Sequence, residues 1–152
     1  MELRKKVDKI IGWALVVIMG AMVLNVLWQV FTRFIGIPSS FTDELARYLM
    51  IWLGLLGAAY VSGKKMHVAI DLISSKLSEK GKRSLSSSIN IIVATFSLLA
   101  LVIGGSRLVY ITFDLGQNSP ALQVPLALVY LIIPISGLLI IFYKISDIFK
   151  KQ

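Results

Sequence analysis

Three groups of polar residues in this chain have the types and spacing to do chemistry. Asp43 and Glu44 are adjacent carboxylates, and Arg47 follows within one helical turn of both, so it can pair with either. His67 and Asp71 stand four apart and can share a hydrogen bond or offer two ligands to a metal. Asn25 and Gln29, also four apart, put two amide side chains on one face of an otherwise apolar run. For the first group the plain expectation is an ion pair at a helix start. Its functional counterpart is a charged patch that meets a partner protein, to which Arg33, Arg107 and Asp114 also contribute. A metal would need more ligands than His67 and Asp71 supply, and without cysteine there is no thiolate site. No metal, cofactor or catalytic residue is expected.

The elements that must carry these residues are membrane helices. Of 152 residues 57% are hydrophobic, and the mean hydropathy of +0.81 is too high for a soluble domain of this size. Uncharged runs cover 10–32, 48–63, 84–106 and 115–143. With about 20 residues needed per crossing, the chain is predicted to be a single all-α membrane domain with transmembrane helices at 10–33, 41–63, 84–106 and 125–144. The basic N-terminal tail before the first run mimics a signal peptide, but no small-residue cleavage pattern follows, so an uncleaved anchor is expected.

Orientation follows from lysine and arginine. The tail carries Arg4, Lys5, Lys6 and Lys9; the middle connection carries Lys64, Lys65, Lys76, Lys80, Lys82 and Arg83; the C-terminal tail carries Lys144, Lys150 and Lys151. The opposite side has only Arg33, Arg47 and Arg107. Both termini and the middle connection are therefore expected in the cytoplasm. A formal charge of +8 distributed this way points to anionic lipid rather than nucleic acid, which would want a basic stripe on a folded face.

Finer features follow the same logic. Residues 1–9 and 66–77 are amphipathic at helical spacing and are predicted to lie along the cytoplasmic membrane surface. The second carries His67 and Asp71. Gly36 and Pro38 break the chain before helix two, and Ser40 with Asp43 fits a capping box there. Asn25 and Gln29 are expected to act as glue between helices, a commoner use than contact with substrate. Gly54, Gly57 and Ala58 share one side of helix two and suit close packing of another helix. The segment QNSPALQVP is a constrained turn, Pro125 suits the first turn of helix four, and Pro134 should kink it by removing the hydrogen bond to the Tyr130 carbonyl.

What is missing narrows the function. No ionisable side chain lies deep in any predicted span, as a proton-coupled carrier would require. The single histidine lies in the connection, away from any haem that a bundle could ligate. Phosphate loops, nucleophile elbows and HExxH are absent from the sequence. An enzyme is not expected; a subunit that packs against something larger is.

Several short motifs in this order carry a resemblance. They are RF at 33–34, DELAR at 43–47, WLGLLGAAY at 52–60, HVAID at 67–71 and SPALQVPLALVYLIIP at 119–134. Together they resemble the small membrane subunit of tripartite ATP-independent periplasmic (TRAP) transporters, over most of the chain. Phe41 stands where that family often has tryptophan, and Met66 where a small residue often precedes the histidine. The resemblance implies two partners: a large elevator-type membrane subunit holding the substrate and sodium sites, and a periplasmic protein delivering an organic acid. Sialic acid is the nearest likeness. It implies a scaffolding role in the bacterial inner membrane and assigns no catalytic residue. Two alternatives stand beside it. A small four-helix multidrug-type exporter needs a carboxylate where helix one has only Asn25 and Gln29, and a redox-complex anchor would need haem.

Overall fold

The computed structural model describes residues 2–37, 39–64 and 79–149. The predicted segment 66–77, with His67 and Asp71, lies outside the described residues, as does Pro38. What is described is almost entirely helical, with four stretches long and apolar enough to cross a membrane.

Helix α1 runs from Glu2 to Phe34 without a break. The tail 1–9 was expected as a separate helix, but its described residues form the opening turns of α1. Between Leu3 and Gly12 no glycine or proline interrupts the helical bonding. At 1.5 Å per residue α1 is roughly 50 Å long against a hydrocarbon core of about 30 Å. A turn follows in which Gly36, at φ 77°, takes the left-handed conformation and Ile37 N–H bonds the Thr32 carbonyl at 2.9 Å. Helix α2 covers Ser40–Gly63 and ends where Lys64 N–H is shared by the carbonyls of Tyr60 and Val61.

The third crossing is one long rod rather than the predicted 84–106. Helix α3 (Glu79–Phe96) passes into a π-helical segment (Ser97–Gly104) and then into α4 (Gly105–Asp114). No residue between Arg107 and Asp114 stops it; the stop comes at Gly116, φ 58°. The fourth crossing is divided into α5 (Leu126–Tyr130) and α6 (Ile132–Phe149). The interruption at Leu131 lies one turn before Pro134, whose ring and missing N–H exclude a regular bond to Tyr130.

Contacts between elements put the crossings in a row. α1 packs on α2, α2 on α6, and α6 on α3 and the π-helical segment, while α4 packs on α5. The described helices therefore follow one another in the order α1, α2, fourth crossing, third crossing, and the opening turns of α1 also reach α6 through Arg4 and Asp8. Trp52 meets Val129, and Gly63 meets Tyr143, so α2 runs parallel to the fourth crossing. Gly105 meets Ile133 and Pro134, and Gly137 meets Leu101 and Val102, so the third crossing is antiparallel to it. The buried apolar residues are Ile11 on α1, Leu56 and Ala59 on α2, and Ala127, Val129, Ile132, Ile140 and Tyr143 on the fourth crossing, while the third crossing buries Ser97 and Thr112. Trp13, Val16, Leu24, Leu27 and Val30 of α1 stay exposed, a surface that suits acyl chains and would aggregate in water.

Candidate functional sites at the two ends of the helix row

At the end away from the termini, α1 and α2 are tied by amides. Asn25 is buried and donates from Nδ2 to the Thr42 carbonyl at 2.8 Å, and Gln29 Nε2 donates to Asp43 Oδ1. These two side chains thus bond within the chain, between its own helices. The capping box is corrected: Ser39, not Ser40, is the N-cap, and it makes no side-chain cap bond. Its hydroxyl is buried without a partner, while Thr42 Oγ1 takes up the Ser39 carbonyl at 2.7 Å.

Glu44 has the most committed carboxylate in the chain's loop end. Its Oε1 accepts from the Tyr48 hydroxyl at 2.7 Å, and its Oε2 accepts from the N–H groups of Ala121 and Leu122, both at 2.9 Å. The clasped loop is tightly folded: Ser119 is fully buried, its N–H reaches the Val124 carbonyl at 2.9 Å, and Gln123 sits at φ 55°. A charged acceptor between two backbone donors is stronger than a neutral one. Eight residues along α2, two turns deeper, Trp52 Nε1 donates to the Val129 carbonyl at 3.0 Å, so the two helices are pinned twice.

This geometry corrects the expected pairing of Arg47. No ion pair joins Arg47 to Asp43 or Glu44, because Gln29 holds Asp43 and the loop holds Glu44. Arg47 is exposed, as are Arg33, Asp43, Arg107 and Asp114; Glu44 alone of the six is partly enclosed. Gly54 and Gly57 have nothing within 4 Å of where a Cβ would stand, and Ala58 is exposed between Met50 and Val61, which are 59% and 44% exposed. The small-residue face of α2 is unused within the described residues.

The second cluster, where α1 begins and α2 and α6 end, was not read from the sequence. Arg4 Nη1 pairs with Asp147 Oδ1 at 2.7 Å, with the two side chains 13% and 4% exposed, and Nη2 donates to the Gly63 carbonyl. The same guanidinium lies 5.4 Å over the Tyr143 ring. Tyr143 donates to Asp8 Oδ1 at 2.6 Å, and Lys64 approaches Asp8 Oδ2 at 3.4 Å and the Tyr60 ring at 5.2 Å. The Asp8 charge, then Tyr60, holds the Lys64 ammonium above its ordinary pKa. Gly63 is required here, since a Cβ would stand 2.7 Å from the Tyr143 ring.

Charge counting treated Arg4 and Lys64 only as topology markers and Tyr143 only as an anchor. The available signal was Arg4 and Asp8 one turn apart, with Asp147 as the sole acid beyond Asp114. Neither cluster gathers a nucleophile with a base. Among the described residues no group of three or more His, Cys, Asp or Glu is placed to hold a metal. Both clusters do what polar residues at membrane boundaries do best: they fix helix ends against one another.

Comparison with known proteins bears on what such a row of helices serves. A family model described as "Tripartite ATP-independent periplasmic transporters, DctQ component" matches residues 22–152. The sialic acid TRAP transporter small permease protein SiaQ of Vibrio cholerae is 30% identical over 153 residues, covering 97% of this chain and 84% of that protein. The isethionate TRAP transporter permease protein DctMQ of Oleidesulfovibrio alaskensis is 28% identical over 84% of this chain, which spans only 22% of that longer protein. The C4-dicarboxylate TRAP transporter small permease protein DctQ of Rhodobacter capsulatus is 29% identical over 75% of this chain and half of its own length.

Proposed function

Since this chain belongs to the DctQ-component family of TRAP transporters and is a small permease subunit rather than an enzyme, we propose that it braces a large substrate-carrying subunit of a sodium-coupled organic-acid importer. It is a multi-pass protein of the bacterial inner membrane. The observation that carries the bracing role is the Gly54, Gly57 and Ala58 face of α2, which no described helix covers. Small residues let a partner helix approach closely, and a face left open along α2 can take a helix of a larger body. The DctMQ relative, in which a matching segment occupies 22% of a permease protein, supports a large membrane subunit as that body.

In this reading the termini and the Arg4–Asp8–Asp147 cluster face the cytoplasm, as the lysine and arginine count indicates. The opposite end then faces the periplasm and helps dock a substrate-binding protein. Glu44 is partly enclosed by its own loop, so docking falls to the exposed charges: Arg33, Arg47, Arg107 and Asp114, together with Asp43, one of whose oxygens is taken by Gln29. His67 and Asp71 stay assigned to a helix on the cytoplasmic surface. Sialic acid is the substrate of choice, by likeness to a relative of that name. The family sets the exporter and redox-anchor alternatives aside.

Reconstitution tests the reading. Uptake of sialic acid under a sodium gradient should require this chain, a large permease subunit and a binding protein together. Uptake by this chain alone would sink the bracing role. Reversing Arg47 with glutamate, which breaks no tie between the described helices, should raise the concentration of binding protein needed for half-maximal uptake while leaving the membrane complex assembled; an unchanged requirement would remove Arg47 from docking.

A further inference from the structure

Between α1 and α2, near the end that holds the termini, lies a notch of about 600 Å³. Its floor and walls are apolar: Gly12 leaves a hollow, Trp13 and Val16 flank it, and the Tyr60 ring closes the α2 side. Gly12 keeps it open, with the Tyr60 ring 3.9 Å from where its Cβ would stand. The mouth is polar, formed by Asp8 and Lys9. Asp8 contributes little negative charge there, because Tyr143 and Lys64 already occupy its two oxygens. Lys9 is exposed, and Lys5 lies one turn before it on the same face, also exposed. The volume falls within the roughly 300–1,000 Å³ typical of small-molecule sites.

An occupant must match a cationic mouth and an apolar floor lying along a membrane-spanning helix. That description excludes a soluble metabolite, which has no use for the floor, and an apolar partner helix, which would strand the lysines. We infer that the notch binds one anionic phospholipid of the leaflet facing the termini, its headgroup on Lys9 and Lys5 and an acyl chain over Gly12 against Trp13 and Tyr60. The site does not rest on the bracing role and stands or falls separately.

Trp13 is a built-in reporter. In a Trp28→Phe/Trp52→Phe chain reconstituted in vesicles, phosphatidylglycerol brominated on its chains should quench Trp13 more strongly than brominated phosphatidylcholine at equal content. The expected enrichment is about fivefold, one lysine's worth of headgroup attraction. Lys5→Glu/Lys9→Glu should abolish the preference, whereas Arg33→Glu, a change of the same sign at the opposite end, should leave it. Equal quenching by both lipids, or a preference that survives in the double lysine variant, overturns the site. So does protection of Trp13 from both brominated lipids once a large permease subunit is co-assembled, since the notch would then hold protein. Because Trp52→Phe removes a hydrogen bond, native mass spectrometry of the unsubstituted chain gives an independent readout. Phosphatidylglycerol should be retained over phosphatidylcholine, and indiscriminate retention overturns the proposal.

Discussion

At the scale of single residues, the distinctive side chains serve the chain's own fold before anything else. Glu44 could be read from sequence as a charge beside Asp43, but its partners, the amides of Ala121 and Leu122, lie 77 and 78 residues away. No local spacing reveals such a contact, whereas Asn25 and Gln29 were legible as interhelical glue because amides within an apolar run have few other uses. Glu44→Gln keeps the shape and removes the charge, so amide exchange at Ala121 and Leu122 should quicken on the order of tenfold. Unaltered protection there would show that the loop holds itself. Arg4 and Asp147 form a largely buried pair, and Asp147→Ala leaves the Arg4 guanidinium with the Gly63 carbonyl and the Tyr143 ring but without this countercharge. Asp147→Ala should lower stability by about 3 kcal/mol, read as a fall in the thermal midpoint in detergent, and the Arg4→Ala/Asp147→Ala double variant should lose less than the two single losses added.

At the scale of elements, the existence of four crossings was legible because composition alone demands them, but their ends and their irregularities were not. α1 continues through the tail because no breaker separates basic turns from apolar ones. The third crossing runs on to Asp114 because charge does not stop a helix that has no glycine or proline to stop it. The π-helical segment had no sequence signal: Ser97–Gly104 is apolar and ordinary, and the widened turn sits where Gly137 brings the α6 backbone close. A Cβ on Gly137 would stand 2.7 Å from Leu101 Cβ and 3.2 Å from the Val102 nitrogen, too near for backbone to yield cheaply. Gly137→Val should therefore push the third and fourth crossings apart. A spin-label distance between α4 and α5 should lengthen by about 1–2 Å, the size of the interface shifts packed helices make. Gly54→Val, which meets open space, should leave that distance as it is.

At the scale of the whole molecule, the row order was the least legible feature. Hydropathy marks each crossing but says nothing about which neighbours which, and a four-helix bundle would have satisfied the same sequence pattern. The long-range contacts decide it: Trp52 to Val129 and Glu44 to the 119–124 loop seat the fourth crossing on α2, and Gly105 and Gly137 seat the third on the fourth. With few apolar residues buried between its helices, the chain can be altered on its outer faces without unfolding. Gly57→Leu should leave the helicity and thermal midpoint of the isolated chain within about 0.5 kcal/mol of the parent. It should also release a large permease subunit during co-purification, and intact co-purification would move the interface to another face.

The parallel pairing of α2 with the fourth crossing also sets an order of events during synthesis. Trp52 and Glu44 emerge early, and the groups they bond are made 77 residues later, about 4–15 s of translation. Through that interval one flank of α2 sits in the bilayer unmatched, a carboxylate and an indole waiting for the fourth crossing. A nascent chain that stops before residue 119 never closes that flank. Synthesis of the fourth crossing is thus recorded in the membrane as a closed seam, and a chain that lacks it shows an open one.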